Sequence, residues 1–309
     1  MLGKLFAKLW RRVRYRLEPR PDAVFALRRP LSLPEGVSEV ELRRFVLGIR
    51  PVGAPEAEMA CFAAEDFERF VHTWALVRDL TGDCLELGAN PYFTTMLLRR
   101  FTPLRLTLAN YFGPQVQTPL LEQQVAFEDG GKPAVLGLQT HHFNIERDRF
   151  PFPDAAFDVV TFCEIIEHLQ TDPLAALGEI HRVLRPAGVL AVTTPNVARL
   201  ENAARLVAGE NIYDPYSGYG AYGRHNREYT LTELQRLLEH AGFAIEQAFT
   251  SDVHDNHAGW FVPLSQCRGL VKRERDLGQY LFVRARKRQT PHTKKPTWLY
   301  RSYPEGELE

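Results

Sequence analysis

Two hydrophobic patterns alternate along the middle of this chain. Short apolar runs bounded by turn residues predict buried strands, and longer segments with apolar residues every three or four positions predict helices. Strands separated by helices favour a parallel sheet with right-handed crossovers. The predicted strands are 83–87, 104–109, one strand within 134–143, 157–162, 189–193, 244–251 and 279–286. The predicted helices are 55–80, 91–101, 118–127, 173–184, 197–208 and 230–241, the last with a threonine cap at its start.

The N-terminal segment has a different pattern. In residues 1–17, leucine, phenylalanine and valine recur at helical spacing among lysines and arginines, which predicts a basic amphipathic helix. Such a helix either lies on an anionic membrane surface or packs on the core with a solvated basic face, and both interpretations stay open. The segment lacks the uninterrupted apolar centre and the small-residue cleavage site of a secretory signal.

Composition bounds the organisation of the chain. Its 309 residues, 45% hydrophobic and 25% charged, suit one main α/β domain with extensions. We place a basic N-terminal extension and linker over 1–54, the main domain over 55–288 and a polar C-terminal tail over 289–309. A net charge of zero gives no signature of nucleic-acid binding. No apolar run approaches the roughly 20 residues needed to span a bilayer, and we expect a cytoplasmic location.

The cysteines show no site pattern. Cys61, Cys84, Cys163 and Cys267 are scattered, without a CxxC pair or a Cys/His ligand spacing. We therefore predict reduced thiols, buried where they fall in apolar strands, and no metal site.

The most specific motif spans residues 150–169, where Phe-Pro-Phe-Pro-Asp-Ala-Ala-Phe-Asp-Val-Val is followed by Glu-His-Leu. Residues 180–188 then have the sequence Ile-His-Arg-Val-Leu-Arg-Pro-Ala-Gly. Together they resemble the "FPFxDxxFDVV…EHL…RVLxPGG" pattern of the type 11 group of class I S-adenosylmethionine-dependent methyltransferases. The resemblance implies an α/β, Rossmann-like fold with a seven-stranded, mostly parallel sheet of order 3-2-1-4-5-7-6, flanked by helices and here preceded by the amphipathic extension. It also implies S-adenosyl-L-methionine as the cofactor.

The end of the first predicted strand resembles the family's first motif, an acidic residue followed by glycines. Residues 85–92 have the sequence Leu-Glu-Leu-Gly-Ala-Asn-Pro-Tyr. The resemblance assigns Glu86 to the positive charge of the cofactor and Gly88 to a tight turn beside it. Asn90 and Tyr92 stand where the family has further glycines. Asparagine tolerates a left-handed backbone, whereas Tyr92 must point away or form a pocket wall.

The other cofactor positions follow later strands. Family members usually end strand two with an Asp or Glu that holds the ribose hydroxyls, and Asn110 stands there. Asn110 is either a weaker ribose contact or only a turn residue. The resemblance places Asn144 at the adenine edge and Ile145 against the ring face. Cys163, just past strand four, would line the cofactor.

Three residues are candidates for the proton removal that can accompany methyl transfer. Glu164 follows strand four at the expected substrate mouth, and His168 lies in the Glu-His-Leu run, where it is either structural or touches the substrate. His225 lies in a segment rich in glycine and tyrosine over 211–227, which in relatives closes over the acceptor. It either approaches the acceptor or only caps the next helix. Imidazole is the side chain best suited to accept a proton near neutral pH.

We therefore predict methyl transfer from S-adenosylmethionine, by in-line displacement, to a small-molecule, saccharide or lipid-linked acceptor. The basic segment 1–17 and the loop 211–227 favour a saccharide or lipid-linked acceptor handled at the inner membrane face, with no nucleic-acid partner. The main alternative is a catalytically silent binding or scaffold protein, because Asn90, Tyr92, Asn110 and Asn144 depart from the usual cofactor contacts. A nicotinamide oxidoreductase is disfavoured because no GxGxxG motif follows the first strand. The acceptor atom and the oligomeric state stay open.

Overall fold

The computed structural model describes residues 24–218 and 220–309. The predicted amphipathic helix over residues 1–17 lies outside these ranges. Within them, no helix is both long enough and apolar enough to cross a membrane.

The described strands form a nine-stranded sheet with the spatial order β1-β4-β5-β3-β2-β6-β7-β9-β8. In chain order they are β1 (Arg50–Pro51), β2 (Gly82–Leu87), β3 (Leu104–Asn110), β4 (Leu120–Asp129), β5 (Lys132–His142), β6 (Phe157–Cys163), β7 (Leu184–Pro195), β8 (Phe243–Ser251) and β9 (Tyr280–Lys287).

Parallel pairing joins five of these strands, in the order β5, β3, β2, β6 and β7. β9 pairs antiparallel with both β7 and β8 and completes that side of the sheet. Without β1 and β4 this is the expected order 3-2-1-4-5-7-6, and the Rossmann-like α/β fold is confirmed. β4 and β1 add two antiparallel strands beyond β5, so the sheet has nine strands rather than seven.

The expected helix over residues 118–127 is wrong, because this segment belongs to β4. β4 and β5 form a long antiparallel hairpin. Gly130 and Gly131 connect them, with φ of 56° and 79°. Turns with two positive φ values match the twist of a hairpin, and glycine adopts them without steric cost. The sequence Asp129-Gly130-Gly131 was the hairpin signal that the helical interpretation overlooked.

The described α-helices lie on both faces of the sheet. They are α1 (Glu39–Leu47), α2 (Glu56–Glu65), α3 (Phe67–Ala75), α4 (Phe93–Phe101), α5 (Pro173–Val183), α6 (Leu200–Val207) and α7 (Leu231–His240). The predicted helical segment 55–80 is divided at Asp66 into α2 and α3. Thr230 caps α7, as predicted, by accepting the backbone N–H of Glu233 at 3.2 Å.

The core has two main layers, one on each face of the sheet. Successive strand residues point to opposite faces. Cys84 and Val159 therefore pack with α1 to α4, whereas Leu85 and Val160 pack with α5 and α7. These two layers hold the central strands in a fixed relation to each other.

This arrangement brings the carboxyl ends of the parallel strands to one edge. Leu87 at the end of β2 pairs with Phe162 of β6, and Cys163 pairs with Thr193 of β7. The strand order reverses at β2, with β3 on one side and β6 on the other. Ligands of open parallel sheets bind beyond the strand ends at such a reversal.

The turn before β9 gives a test of the packing. An added Cβ at Gly278 would lie 2.5 Å from the backbone nitrogen of Ser251, at the end of β8. We expect Gly278→Ala to lower the free energy of unfolding by about 1–3 kcal/mol, because neither backbone can move without disturbing the β8–β9 pairing. Urea denaturation measures the change. Gly178→Ala in α5, where an added Cβ meets no atom within 4 Å, is the control and should be neutral or stabilising. Equal stability of Gly278→Ala and the parent protein would contradict this packing.

Candidate active site

Two adjoining cavities open at the edge where β2, β3, β5 and β6 end. Their volumes are about 320 and 350 Å³, and Gly88, Asn90, Glu164 and His168 line both. The first, here called the polar cavity, is lined by residues of α2, α3, β2, β6 and the loop 211–227. The second, here called the aromatic cavity, extends over the ends of β3 and β5.

The turn after β2 forms the boundary between the two cavities. Gly88 has a φ of 69°, and an added Cβ would lie 2.6 Å from Cδ1 of Ile165. Tyr92 has a φ of 73° and is fully buried, and it forms part of the wall, which is one of the two possibilities that the sequence left open. The peptide bond between Asn90 and Pro91 is cis. Gly88, Asn90 and Tyr92 all line the polar cavity.

Glu86, at the end of β2, lies in the polar cavity and is 3% exposed. Burial raises the pKa of its carboxyl group to about 8. Its Oε2 atom has no hydrogen-bond partner within the described part of the chain. A buried acid without a partner favours a cationic ligand, which would stabilise its ionised form.

Asn110 supports the turn from the neighbouring strand. Its Oδ1 accepts the backbone N–H of Asn90 at 2.9 Å, and its Nδ2 donates to the hydroxyl of Tyr92 at 3.3 Å. Asn110 also lines the aromatic cavity. The departures from the family motif at Asn90, Tyr92 and Asn110 are therefore joined by hydrogen bonds, a relation that the separate sequence positions did not reveal.

Asn144 is likewise held by the protein. Its Oδ1 accepts the backbone N–H of Glu146 at 2.9 Å, and its Nδ2 donates to the hydroxyl of Tyr222 at 3.1 Å. Tyr222 also donates to Glu146 at 3.1 Å, which attaches the loop 211–227 to the end of β5. Asn144 and Ile145 both line the aromatic cavity.

Aromatic rings form one wall of that cavity. Tyr111 stacks on His142 with ring centroids 5.3 Å apart and meets Tyr222 edge-on at 5.9 Å. Phe112 and Leu169 complete the apolar lining. A flat heteroaromatic ring suits such a wall, because aromatic faces prefer offset stacks and perpendicular contacts.

Cys163 is the last residue of β6 and Glu164 follows it, and both line the polar cavity. Burial raises the pKa of the Cys163 thiol to about 12, so this thiol is an uncharged part of the cavity wall. Glu164 has a φ of 55°, which is uncommon outside glycine and concentrates at functional sites. Its Oε1 accepts from the hydroxyl of Thr193 at 2.7 Å, and burial raises the pKa of its carboxyl group.

Arg69 of α3 was not identified from the sequence, where it is one basic residue of an amphipathic segment. Its guanidinium forms two contacts with the carboxylate of Asp66, at 3.1 and 3.0 Å, and lies 3.9 Å from Oε2 of Glu164. The side chain is only 8% exposed and faces the rings of Phe70 and Tyr280. It is thus a buried cation in a cavity that is otherwise rich in acids.

Glu167 lines the polar cavity beside His168, as the sequence places it at the polar end of the strand that faces a cleft, but no role is assigned to it there. It is completely buried, and its Oε2 accepts from the hydroxyl of Thr194 at 2.8 Å. Its Oε1 has no hydrogen-bond partner among the described residues. Burial, followed by the charge of Glu164, raises the pKa of Glu167 to about 8. His168 is anchored through Nδ1 to the carbonyl oxygen of Arg224 at 3.0 Å, and burial lowers its pKa.

His225 reaches the same cavity from the loop 211–227. Its Nδ1 contacts Oε1 of Glu228 at 2.9 Å, and its ring meets that of His168 edge-on with centroids 5.0 Å apart. Burial alone would lower the pKa of His225, but the hydrogen bond to Glu228 and the charges of Glu167 and Asp214 together raise it. The three predicted catalytic candidates, Glu164, His168 and His225, therefore line one cavity.

Comparison with known proteins identifies the family of this chain. Residues 58–248 match the family described as "Methyltransferase domain". A "Probable S-adenosylmethionine-dependent methyltransferase" of Mycolicibacterium smegmatis is 40% identical over 96 residues, which are 31% of this chain and 32% of that protein. A protein with the same description from Mycobacterium tuberculosis is 32% identical over 126 residues, which are 39% of this chain and 41% of that protein.

Among solved structures, a SAM-dependent methyltransferase from Thermotoga maritima superposes with a TM-score of 0.45 at 15% identity, covering 75% of this chain and 95% of that one. The matches to the curated mycobacterial relatives span less than half of their length. The family match, in contrast, covers more than half of this chain and includes the motifs around β2 and β6. The chain belongs to the class I S-adenosylmethionine-dependent methyltransferase family.

Proposed function

We propose that this protein transfers a methyl group from S-adenosylmethionine to a hydroxyl group of a polar, saccharide-like acceptor. The observation that carries the proposal is the pairing of two adjoining cavities at the strand edge. One has an aromatic wall, and the other is lined by Glu164, Glu167, His168 and His225.

The residues of the cleft fit the cofactor of the family. Glu86 is a buried acid that favours a cation, and it receives the ammonium group of the amino-acid moiety. Gly88 lets the backbone approach the ligand, and Tyr111 and Ile145 enclose the adenine ring. Asn110 reaches the ribose with the amide hydrogen that its contact to Tyr92 leaves free. When bound, S-adenosylmethionine supplies an electrophilic methyl group on a sulfonium that is a good leaving group.

The polar cavity supports this acceptor class. Besides its histidines, it contains the buried polar groups of Arg69 and Glu167 and the partly buried carboxyl group of Glu164, which a hydrocarbon chain cannot satisfy. Hydroxyl groups can donate to the carboxylates and accept from the guanidinium. The rings of Phe70 and Tyr280 give an apolar surface against which a sugar face can pack.

The chain's own groups then orient the acceptor and receive its proton. Glu164 is fixed by Thr193 and directs the acceptor hydroxyl. His225 is fixed by Glu228, so its ring is held at the cavity and acts on that hydroxyl. His168, with a pKa lowered by burial, stays neutral near pH 7 and adds a polar contact. Alignment of the acceptor oxygen with the methyl group, together with exclusion of water from the cleft, accounts for most of the expected rate enhancement.

The first test measures the affinity for S-adenosylhomocysteine by calorimetry in the parent protein, Glu86→Gln and Gly88→Val. Glu86→Gln removes the charge that faces the ligand's ammonium and should weaken binding about 10- to 100-fold. Gly88→Val introduces a Cβ 2.6 Å from Ile165 at a positive φ and should abolish binding. Gly269→Val, where an added Cβ meets no atom within 4 Å, is the matched control.

The pH dependence sharpens this test. Below pH 8 the free Glu86 carboxyl group is mostly protonated, and a cationic ligand favours its ionised form. Binding near pH 7 should therefore release a proton and strengthen as the pH rises towards 8, and Glu86→Gln should lose both effects. A folded parent protein that does not bind S-adenosylhomocysteine would favour the catalytically silent scaffold instead.

The second test concerns the groups at the acceptor. We expect His225→Gln to lower kcat/KM for methyl transfer about 10²- to 10⁴-fold, the usual contribution of a positioned acid–base group, while the affinity for S-adenosylhomocysteine stays unchanged. Release of S-adenosylhomocysteine is measured with a panel of saccharides and lipid-linked glycans. His257→Gln, which lies outside both cavities, is the control. Unchanged turnover in His225→Gln would remove this residue from the reaction.

The third test concerns location. We propose that residues 1–17 hold the protein at the anionic inner face of the membrane, where a lipid-linked acceptor would be found. Each lysine or arginine near such a surface contributes about 1 kcal/mol. The full chain should cosediment with vesicles containing phosphatidylglycerol and not with neutral vesicles. A variant without residues 1–17 should remain in solution with both. Equal cosedimentation of the full chain and the variant would contradict this role.

A further inference from the structure

The histidines of the polar cavity have fixed tautomers. Nδ1 of His168 lies 3.0 Å from the carbonyl oxygen of Arg224, and a carbonyl can only accept. His168 must therefore donate through Nδ1–H, and its Nε2 carries a lone pair when the ring is neutral. In the same way, Nδ1 of His225 faces a carboxylate oxygen of Glu228 and donates to it. Nε2 of His225 then carries the free lone pair.

Glu167 contributes a third lone pair to the same space. Its Oε2 is engaged by Thr194, whereas its Oε1 is buried and has no hydrogen-bond partner in the described ranges. Oε1 lies 3.8 Å from Nε2 of His168, too far for a hydrogen bond. One ligand atom from each of Glu167, His168 and His225 lies within 4.8 Å of the other two. Here these residues are called the triad.

We infer that the triad binds a divalent transition-metal ion whose open positions take two neighbouring oxygens of the acceptor. This inference rests on the proposed function for the acceptor, but the metal site itself does not. Oε1 of Glu167 is buried beside two imidazole rings without a hydrogen-bond partner in the described ranges, and burying such an atom unpaired is costly. A cation between them removes that cost.

The geometry suits an ion of this kind. Metal–nitrogen and metal–oxygen distances of about 2.0–2.2 Å place the ligands of one ion roughly 3 to 3.5 Å apart, so small side-chain movements close the triad. Each ligand already has an outer partner: Thr194 for Glu167, the Arg224 carbonyl for His168 and Glu228 for His225. Such outer contacts orient metal ligands and fix their tautomers.

The donor set limits the choice of metal. Two imidazole nitrogens and one carboxylate oxygen suit manganese, iron, cobalt or zinc better than magnesium, which prefers oxygen ligands. The nearby carboxyl groups of Glu164, Asp214 and Glu228 outnumber the guanidinium groups of Arg69 and Arg199, so the surroundings favour a cation. A bound ion would act as a Lewis acid and make the acceptor hydroxyl easier to deprotonate. With its lone pair on the ion, His225 would act on the acceptor through that ion, and the carboxylate of Glu164 in the same cavity would receive the proton of the hydroxyl.

Two other groups of residues serve as controls. Asp214 and Glu228 form a second group with His225, and Glu228 is already paired with Arg199. His240, His292 and Glu309 form a third group, in which His240 is buried and the other two residues are exposed. Variants of Asp214 and His292 therefore test whether an ion binds to one of these two groups rather than to the triad.

The test uses the full chain, stripped of metal with EDTA and then titrated with Mn²⁺, whose free form is measured by electron paramagnetic resonance. Co²⁺ gives a second readout through its visible absorption. The parent protein should bind one ion that Glu167→Gln, His168→Gln and His225→Gln each weaken about 100-fold or more, since losing only an outer partner typically costs 10- to 100-fold. Asp214→Asn and His292→Gln should retain that ion.

Binding of S-adenosylhomocysteine, measured on the same samples, shows that each variant is folded. If the parent protein binds S-adenosylhomocysteine but no Mn²⁺ or Co²⁺, the metal site is disproved and the proposed methyl transfer stands. Equal Mn²⁺ affinity of Glu167→Gln and the parent, or loss of the ion in His292→Gln, would also overturn the inference. If the ion binds at the triad and S-adenosylhomocysteine does not bind, the proposed function fails while the metal site stands.

Discussion

The parallel register of β2, β6 and β7 is the constraint on which the rest of the site depends. Leu87 pairs with Phe162, and Cys163 pairs with Thr193. The polar residues that follow these strands therefore lie next to each other at the carboxyl edge of the sheet. Two core layers clamp the strands from both faces and leave little freedom for a slip in register. A slip of one residue would turn Glu86 away from the cleft and replace it by an apolar neighbour.

Two buried carboxyl groups are the second feature that determines the properties of the site. Glu86 and Glu167 are almost or entirely inaccessible to water, and one oxygen of each lacks a partner within the described residues. Burying a charge without a partner costs free energy, so each of these carboxyl groups is either protonated or stabilised by a nearby cation. The ammonium group of the cofactor beside Glu86 and a metal ion beside Glu167 would supply this positive charge. Both acids therefore favour positive charge in the polar cavity.

The loop 211–227 connects the two halves of the cleft. Tyr222 is hydrogen-bonded to Asn144 and Glu146 at the end of β5, and His225 enters the polar cavity. The same short segment therefore contacts the proposed cofactor and acceptor positions.

The sequence alone predicted most strands and helices, because apolar runs and caps are local signals, and the motif around Glu164 carried the family resemblance that implied the strand order. It misassigned residues 118–127, since an amphipathic decamer can form a helix or a strand and only pairing with β5 decides. The tertiary structure decided which side chains meet. Arg69 and the hydrogen bonds from Asn110 to Asn90 and Tyr92 could not be foreseen, because the partners lie on different elements. The joining of Glu167 and His168 with His225 has the same cause: 57 positions of chain separate His168 from His225, and only the fold closes that distance.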